Sequence, residues 1–354
     1  MISRDDMKQF ILDRHVIGGE APSFIIAEAG VNHNGDIATA FKLVDVAAAS
    51  GADAVKFQTF KPELLASSSA AKAAYQKETT DPAESQLSML SRLALSYEEF
   101  ARLKEYCRQK NILFLSTPFD HDSVDFLDGL NMAGFKIPSG ELTNLPFLTH
   151  VAAKRRPMIV STGMGTMEEV EAAVHTIEKE HVPGLAILHC VSNYPAAASD
   201  ANLLAMHTLA KIGYPVGYSD HTMGIDVALA SVALGAAVLE KHFTLSRNME
   251  GPDHRCSLEP NELNTLVKGV KLVQSALGSG RKERAAAEND TAIVARRSLF
   301  VRNAIAAGTA IRAQDLEALR PGDGISPTHF HEIVGRKARR ALPARHKLAP
   351  EDLA

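Results

Sequence analysis

The sequence predicts an α/β protein, a (β/α)8 TIM barrel followed by a small β-rich module. Three observations carry that expectation. Up to about residue 280, short apolar runs alternate with amphipathic stretches of helical period, eight of each. Polar residues suited to chemistry recur at the C-terminal ends of those runs, the face on which such barrels build their active sites. The composition then changes at Gly278-Ser-Gly-Arg-Lys-Glu-Arg-Ala-Ala-Ala-Glu-Asn-Asp290, a polar stretch that reads as a linker.

The strands are expected at Phe24–Ala27, Ala54–Phe57, Leu113–Ser116, Gly134–Ile137, Met158–Ser161, Leu185–His189, Val216–Tyr218 and Ala237–Glu240. Helices are expected at 37–49, 98–110, 121–129, 144–154, 167–181, 201–212, 224–235 and 260–277. Thr166 followed by Glu169 has capping-box spacing. Strict alternation implies a parallel sheet, and eight units suggest closure. A doubly wound open sheet is the fallback, but Gly30-Val-Asn-His-Asn-Gly35 after the first strand does not fit the dinucleotide fingerprint. The Ala/Ser-rich, then polar, stretch 60–97 is too long for a plain connection and suggests a lid or binding loop. Beyond a linker at 281–295, residues 296–354 form the second domain. There, Ala304–Leu316 resembles Ala341–Leu353, each ending in Asp-Leu, which suggests pseudo-symmetry.

The 354 residues carry 38 Lys+Arg against 42 Asp+Glu, a formal charge of -4 that gives no reason to expect nucleic acid or an anionic membrane as partner. That charge is unevenly spread: residues 281–354 hold 14 basic and 9 acidic side chains, leaving 24 and 33 for the rest. No apolar run approaches the roughly 20 residues of a membrane span. Met1–Arg14 is charged and lacks the apolar core of a signal peptide. Cys107, Cys190 and Cys256 are odd in number and widely spaced, so they read as buried small hydrophobes in a reducing cytoplasm.

At the strand ends, Lys56, Lys136, Thr117, Ser139, Ser161 and Ser219 converge on one rim. Lysines supply point charges and hydroxyls complete an anion cradle, so a phosphorylated small substrate is expected. His221 and His242 end adjacent strands and could share a divalent metal. Glu28 and Glu141 are the carboxylates available for acid–base work. His189 is expected in the packed interior of the barrel, and Asp220 as a residue that orients a neighbour.

These motifs, taken in order, resemble one family. Ile26-Ala-Glu28-Ala-Gly-Val-Asn32-His-Asn-Gly35, Val55-Lys56-Phe-Gln58-Thr, Ser116-Thr-Pro-Phe119, Lys136-Ile-Pro-Ser139-Gly-Glu141, Gly217-Tyr-Ser219-Asp-His221-Thr, Glu240-Lys-His242-Phe-Thr and Gly251-Pro-Asp253-His are similar to the bacterial sialic acid (N-acetylneuraminate) synthases. The segment from Ala295 to Gly324 resembles their antifreeze-protein-like (SAF) domain. The resemblance implies metal-dependent condensation of phosphoenolpyruvate with the open-chain aldehyde of N-acetylmannosamine, giving N-acetylneuraminate and phosphate. It implies that His221 and His242 hold Mn2+ or Mg2+, and that Lys56, Thr117, Lys136, Ser139, Ser161 and Ser219 hold phosphoenolpyruvate. Gln58, Tyr194 and Asp253 would contact the sugar or the reacting water, with Glu28 and then Glu141 as the groups activating that water. It further implies a domain-swapped homodimer in which Arg320 reaches the other subunit's site to bind the N-acetyl group.

The chain departs from the best-known synthases at Ser192-Asn193-Tyr194-Pro195, where they have Asn, one residue, then Tyr-Pro. Related synthases that make legionaminic or pseudaminic acid take 2,4-diacetamido-2,4,6-trideoxyhexoses, and Tyr75-Gln76 in the 60–97 stretch could serve that variation. Legionaminate synthesis is therefore the alternative function. Two less favoured readings are a Schiff-base aldolase using Lys136 and a non-enzymatic sugar-binding protein.

Overall fold

The computed structural model describes residues 8–67, 69–81 and 83–354, without the side chains of Ala74, Tyr75 and Glu78. The chain divides into two units, Met1–Gly278 and Ser279–Ala354. Within the first, a short antiparallel hairpin of β1 (Phe10–Leu12) and β2 (His15–Ile17) precedes eight parallel strands. These are β3 (Phe24–Gly30), β4 (Ala54–Thr59), β5 (Leu113–Pro118), β6 (Phe135–Ile137), β7 (Met158–Ser161), β8 (Leu185–Cys190), β9 (Val216–Asp220) and β10 (Val238–His242). Their order, β5-β4-β3-β10-β9-β8-β7-β6, puts consecutive strands side by side, and the end strands β5 and β6 lie next to each other. The result is the nearly closed barrel expected from the alternation.

Each strand sorts its side chains by parity. Ile25, Val55, Phe114, Val160, Ile187 and Leu239 face outward into the large core shared with the helices. Ile26, Ala54, Leu115, Ile159, Leu188 and Val238 face inward and pack with Phe10, Leu12 and Ile17 of the hairpin. The hairpin thus plugs the N-terminal end of the barrel. A Cβ on Gly184, just before β8, would come within 2.2 Å of the Phe10 ring, so only glycine lets the plug seat.

Most strands run further than expected. Glu28 pairs with Lys56 and with His242 along the ladders, so backbone pairing continues through polar residues that apolar periodicity excludes. The helices follow their caps: Asp36 accepts amide hydrogens from Ala38 and Thr39 at the start of Ile37–Ser50, and Thr166 with Glu169 forms the expected box before Met167–Glu178. The helix expected over 201–212 shrinks to Ala205–Leu209, because Asn202 adopts φ 41, outside the right-handed helical region.

The 60–97 stretch contains three short helices, Pro62–Leu65, Ala74–Thr79 and Gln86–Leu93; the first and third pack with Val31 and Phe60 in a small core that includes Met89 and Leu93. Lys72 is buried there, donating to Thr80 Oγ1 at 2.8 Å and to the carbonyl of Asp81. The side chain of Tyr75 lies outside the described part.

In the second unit, β11 (Ser298–Val301) pairs antiparallel with β12 (Leu316–Leu319) over a separate core of Leu299, Val301, Ile311, Leu316, Leu348 and Leu353. The internal repeat appears as matching turns. Asp315 accepts the amide of Arg312 at 2.9 Å, and Asp352 that of Ala349 at 3.0 Å, each just before the Leu of its Asp-Leu pair. Residues 289–295, within the expected linker, form a short helix. Arg320 is exposed and precedes a cis peptide bond to Pro321. Among the described residues, no helix is long and apolar enough to cross a membrane.

Candidate active site

The inward face of the barrel changes character two residues up each strand. Above the apolar layer lie Glu28, Lys56, Gln58, Thr117, Lys136, Ser161, Cys190, Ser219, Glu240 and His242, all lining one cavity of about 330 Å3. Lys56 Nζ lies 2.6 Å from Glu28 Oε2 and donates to Thr117 Oγ1 at 2.9 Å. Glu240 stands between the two lysines, with Oε1 3.2 Å from Lys136 Nζ and Oε2 3.8 Å from Lys56 Nζ, and accepts the Ser219 hydroxyl at 2.9 Å. Every charged group in this layer is buried.

Burial alone would neutralise these groups, and their neighbours decide which stay charged. Burial opposes the charge on Glu240, but Lys136 and Lys56 outweigh it and hold the carboxyl down to about 2. Burial likewise opposes the ammonium of Lys56, yet Glu240 and Glu28 keep it above the ordinary lysine range. For Glu28 burial wins over Lys56, and its pKa rises to about 7. Burial pulls Lys136 below the ordinary range despite Glu240. The floor therefore holds two lysines matched against one firmly ionised carboxylate and one adjustable one.

His221 and His242 stand at the ends of adjacent strands with ring centroids 5.6 Å apart. Tyr194 packs on both, 4.0 Å from the His221 ring and edge-on at 5.7 Å from His242. His221 Nδ1 bonds the Val191 carbonyl at 2.7 Å, which turns its Nε2 away from that strand end. His242 Nδ1 is buried without a hydrogen-bond partner, and burial keeps the ring well below the ordinary imidazole range, hence neutral. A buried, neutral imidazole with an unsatisfied nitrogen beside a second imidazole fits a divalent metal. Asp253, whose carboxyl burial raises to about 6, lines the same cavity. Among the described residues no group of three or more His, Cys, Asp or Glu is placed to hold a metal ion, so an ion on the two histidines would complete its shell with water or substrate.

Of the residues singled out from sequence, Glu28, Lys56, Gln58, Thr117, Lys136, Ser139, Ser161, Tyr194, Ser219, His221, His242 and Asp253 meet here. Gln58 Nε2 is 3.4 Å from Glu28 Oε1, Ser139 Oγ accepts the Gly163 amide at 2.9 Å, and Ser161 Oγ is buried and unpaired.

Glu141 is not among them. Beyond the end of β6, the 3-10 turn Ser139–Glu141 carries its carboxylate to Asn144, whose Nδ2 donates to it at 2.7 Å. Arg320 belongs to the other unit. His189 does not face the barrel interior: between inward Leu188 and Cys190 it points out to the helix layer and bonds the Ala201 carbonyl at 2.8 Å. Asp220 does orient a neighbour, binding Lys241 Nζ at 2.7 Å.

Among the cavity residues not singled out from sequence are two ionisable ones, Glu240 and Cys190. Glu240 shares its strand face with His242, and that parity was the available signal. Cys190 is buried, as expected, but is no inert hydrophobe. Burial would raise its thiol, yet His221 and Lys136 outweigh that and hold it below the ordinary cysteine range. Cys107 and Cys256, by contrast, are pushed up by burial to about 12.

The comparisons with known proteins agree with this geometry. The NeuB family model matches residues 43–282 and the SAF domain model residues 296–354. An N,N'-diacetyllegionaminic acid synthase from Legionella pneumophila is 46% identical over 92% of this chain and 93% of its own length. One from Campylobacter jejuni is 46% identical over 89% of this chain and 96% of its own. A crystal structure of N-acetylneuraminic acid (sialic acid) synthetase from Leptospira borgpetersenii, in complex with citrate, superposes with a TM-score of 0.73 at 37% identity, covering 80% of this chain and 95% of that one. With family models matching residues 43–282 and 296–354, this chain belongs to the NeuB family and ends in a SAF domain.

Proposed function

We propose that the protein condenses phosphoenolpyruvate with the open-chain form of a 2,4-diacetamido-2,4,6-trideoxyhexose, giving a nine-carbon 2-keto sugar acid of the legionaminic type and phosphate. The observation that carries the chemistry is the buried floor of Lys56, Lys136 and Glu240 facing His221 and His242 across one cavity. The choice of sugar rests on similarity. The two diacetyllegionaminic acid synthases are 46% identical to this chain and the sialic acid synthetase structure 37%, which favours the alternative over N-acetylmannosamine.

In this reading Lys56, Lys136, Thr117, Ser139, Ser161 and Ser219 bind the carboxylate and phosphate of phosphoenolpyruvate, with backbone and hydroxyl donors completing the cradle. His221 and His242 would hold a Mn2+ or Mg2+ ion, which when bound supplies Lewis-acid polarisation of an aldehyde oxygen. C3 of phosphoenolpyruvate attacks the aldehyde carbon, whose oxygen takes a proton from water and becomes a hydroxyl, and the positive character left at C2 sits beside Glu28 and Glu240. Glu28 takes a proton from the water that adds to C2; its raised pKa suits a base working near neutrality. In the collapse of the tetrahedral intermediate the C2 hydroxyl passes its proton to the leaving phosphate as the keto group forms, the bond from C2 to the phosphate oxygen breaks, and phosphate is released against the two lysines. Gln58, Tyr194 and Asp253 position the sugar and water, and Arg320 is proposed to bind the N-acetyl group from a second copy of the chain in a dimer.

The deciding experiment is phosphate release from phosphoenolpyruvate with the diacetamido sugar and N-acetylmannosamine in parallel, with and without EDTA. Turnover that prefers the diacetamido sugar and stops on chelation is expected. Absence of phosphate release with both sugars, or a borohydride-trapped pyruvate adduct on Lys136, would overturn the reading.

A further inference from the structure

The cavity has two unlike sides. Its floor is charged, but one flank is apolar and comes largely from the 60–97 insertion. Leu65 and Leu90 are half-buried at this wall, and Met89 and Leu93 close it from behind at 1% exposure each. Val31 and Phe119 join it from the loops after β3 and β5. Beside the apolar residues, Gln76 and Gln86 bring carboxamides to the cavity.

We propose that this flank selects the sugar by its far end, accepting a methyl terminus and an amide substituent where an ordinary hexose would present hydroxyls. The inference rests on the synthase reading above and assigns the selectivity of that same site. With the reacting carbon at the histidines and lysines, the remaining carbons of an open-chain aldose must leave the charged floor, and the insertion forms the wall beside it. A methyl group gains by leaving water against Leu65, Leu90 and Phe119. A hydroxymethyl group there would surrender its hydrogen bonds to water without replacement. Such a wall is a moderate filter: an apolar pocket rejects an added hydroxyl by no more than about 100-fold. An acetamido group offers one donor and one acceptor; Gln86 can meet both, while Gln76, whose Oε1 already accepts the Ala73 amide at 2.9 Å, offers its NH2 donors. The insertion holds this wall through its own core and the buried Lys72, whose Nζ bonds Thr80 Oγ1 at 2.8 Å, rather than through substrate.

The test measures kcat/KM for the diacetamido trideoxy sugar and for N-acetylmannosamine with the full-length protein, its Leu90→Asn and Leu65→Ser variants, and Leu90→Met. The parent should favour the trideoxy sugar by about 10- to 100-fold. Leu90→Asn and Leu65→Ser should shrink that ratio by roughly tenfold, while Leu90→Met, which keeps the wall apolar, should retain it. Substitutions at two separate half-buried positions guard against one that fails to fold, and thermal melting identifies such a failure. A parent that turns over both sugars, with a ratio unmoved in the folded Leu90→Asn and Leu65→Ser variants, overturns the flank as selector and leaves the synthase reading intact. A parent that turns over neither sugar defeats the synthase reading itself.

Discussion

Replacing Glu240 by Gln removes one charge from the cavity floor while keeping the shape of the side chain. Glu240 lies 3.2 Å from Lys136 Nζ and 3.8 Å from Lys56 Nζ. At an effective dielectric constant of about 20, those attractions amount to roughly 5 and 4 kcal/mol. The variant also escapes the cost of burying a carboxylate, several kcal/mol, so the net loss should be near the 3–5 kcal/mol typical of breaking a buried ion pair. For a domain of this size that corresponds to a fall in Tm of about 10 °C. The same change leaves two lysines facing only Glu28, whose own charge burial already disfavours. An anion placed on them some 5–6 Å from position 240 then avoids roughly 3 kcal/mol of repulsion. Rearrangement of the freed lysines returns part of that, so inorganic phosphate should bind on the order of tenfold tighter. Thermal melting of the parent and Glu240→Gln proteins, with and without phosphate, reads both effects, and calorimetry gives the affinities. A ligand-free variant melting within about 2 °C of the parent, with unchanged phosphate affinity, would refute the view that Glu240 is the counter-charge of the empty floor.

Three further outcomes follow from the same geometry. Burial raises Glu28 to about 7, so its carboxylate dominates only above that pH, and kcat/KM should fall as pH drops below about 7. Asp253, raised by burial to about 6, should add a second step lower down. A pH–rate profile of Glu28→Gln that retains the upper limb would exclude Glu28 as its source. His242→Ala should weaken Mn2+ binding beyond the 10- to 100-fold that loss of an outer-shell partner costs. A normal Mn2+ titration of that variant would remove His242 from the metal site.

Much of this molecule was legible because parity and helical period are local. Lys56, Lys136, Ser219 and His242 could be assigned to one rim from their positions at the ends of apolar runs. What escaped depends on geometry beyond the strand. Glu141 sits four residues past the end of β6, and only the turn decides that its carboxylate meets Asn144 rather than the cavity. The hairpin at 10–17 has strands of three residues each, too short for periodicity to register, and its role as a plug exists only once the barrel is closed. The wall built by 60–97 arises from packing of Pro62–Leu65 and Gln86–Leu93 with Val31, Phe60 and Phe119, which no single stretch announces. Glu240 and His189 are different, because the pattern already contained them: counting by twos from Val238 or Leu188 places the first inside and the second outside.

That count by twos also explains why the floor must be charge-matched. Along six strands a single step carries the inward position from the packed layer to the reactive one: Ile26 to Glu28, Ala54 to Lys56, Leu115 to Thr117, Ile159 to Ser161, Leu188 to Cys190 and Val238 to Glu240. The apolar layer, sealed below by Phe10, Leu12 and Ile17, gives the lysines no water from that side. Two ammonium groups on such a floor need carboxylates within reach in the empty protein, and β3 and β10 supply Glu28 and Glu240, two strands that pair directly along the ladder. A bound anion can then take over the lysines with less charge buried in a dry interior if Glu28, whose carboxyl burial raises to about 7, takes up a proton. The packing that stabilises the lower barrel is thus the same feature that obliges its upper layer to pair every buried charge.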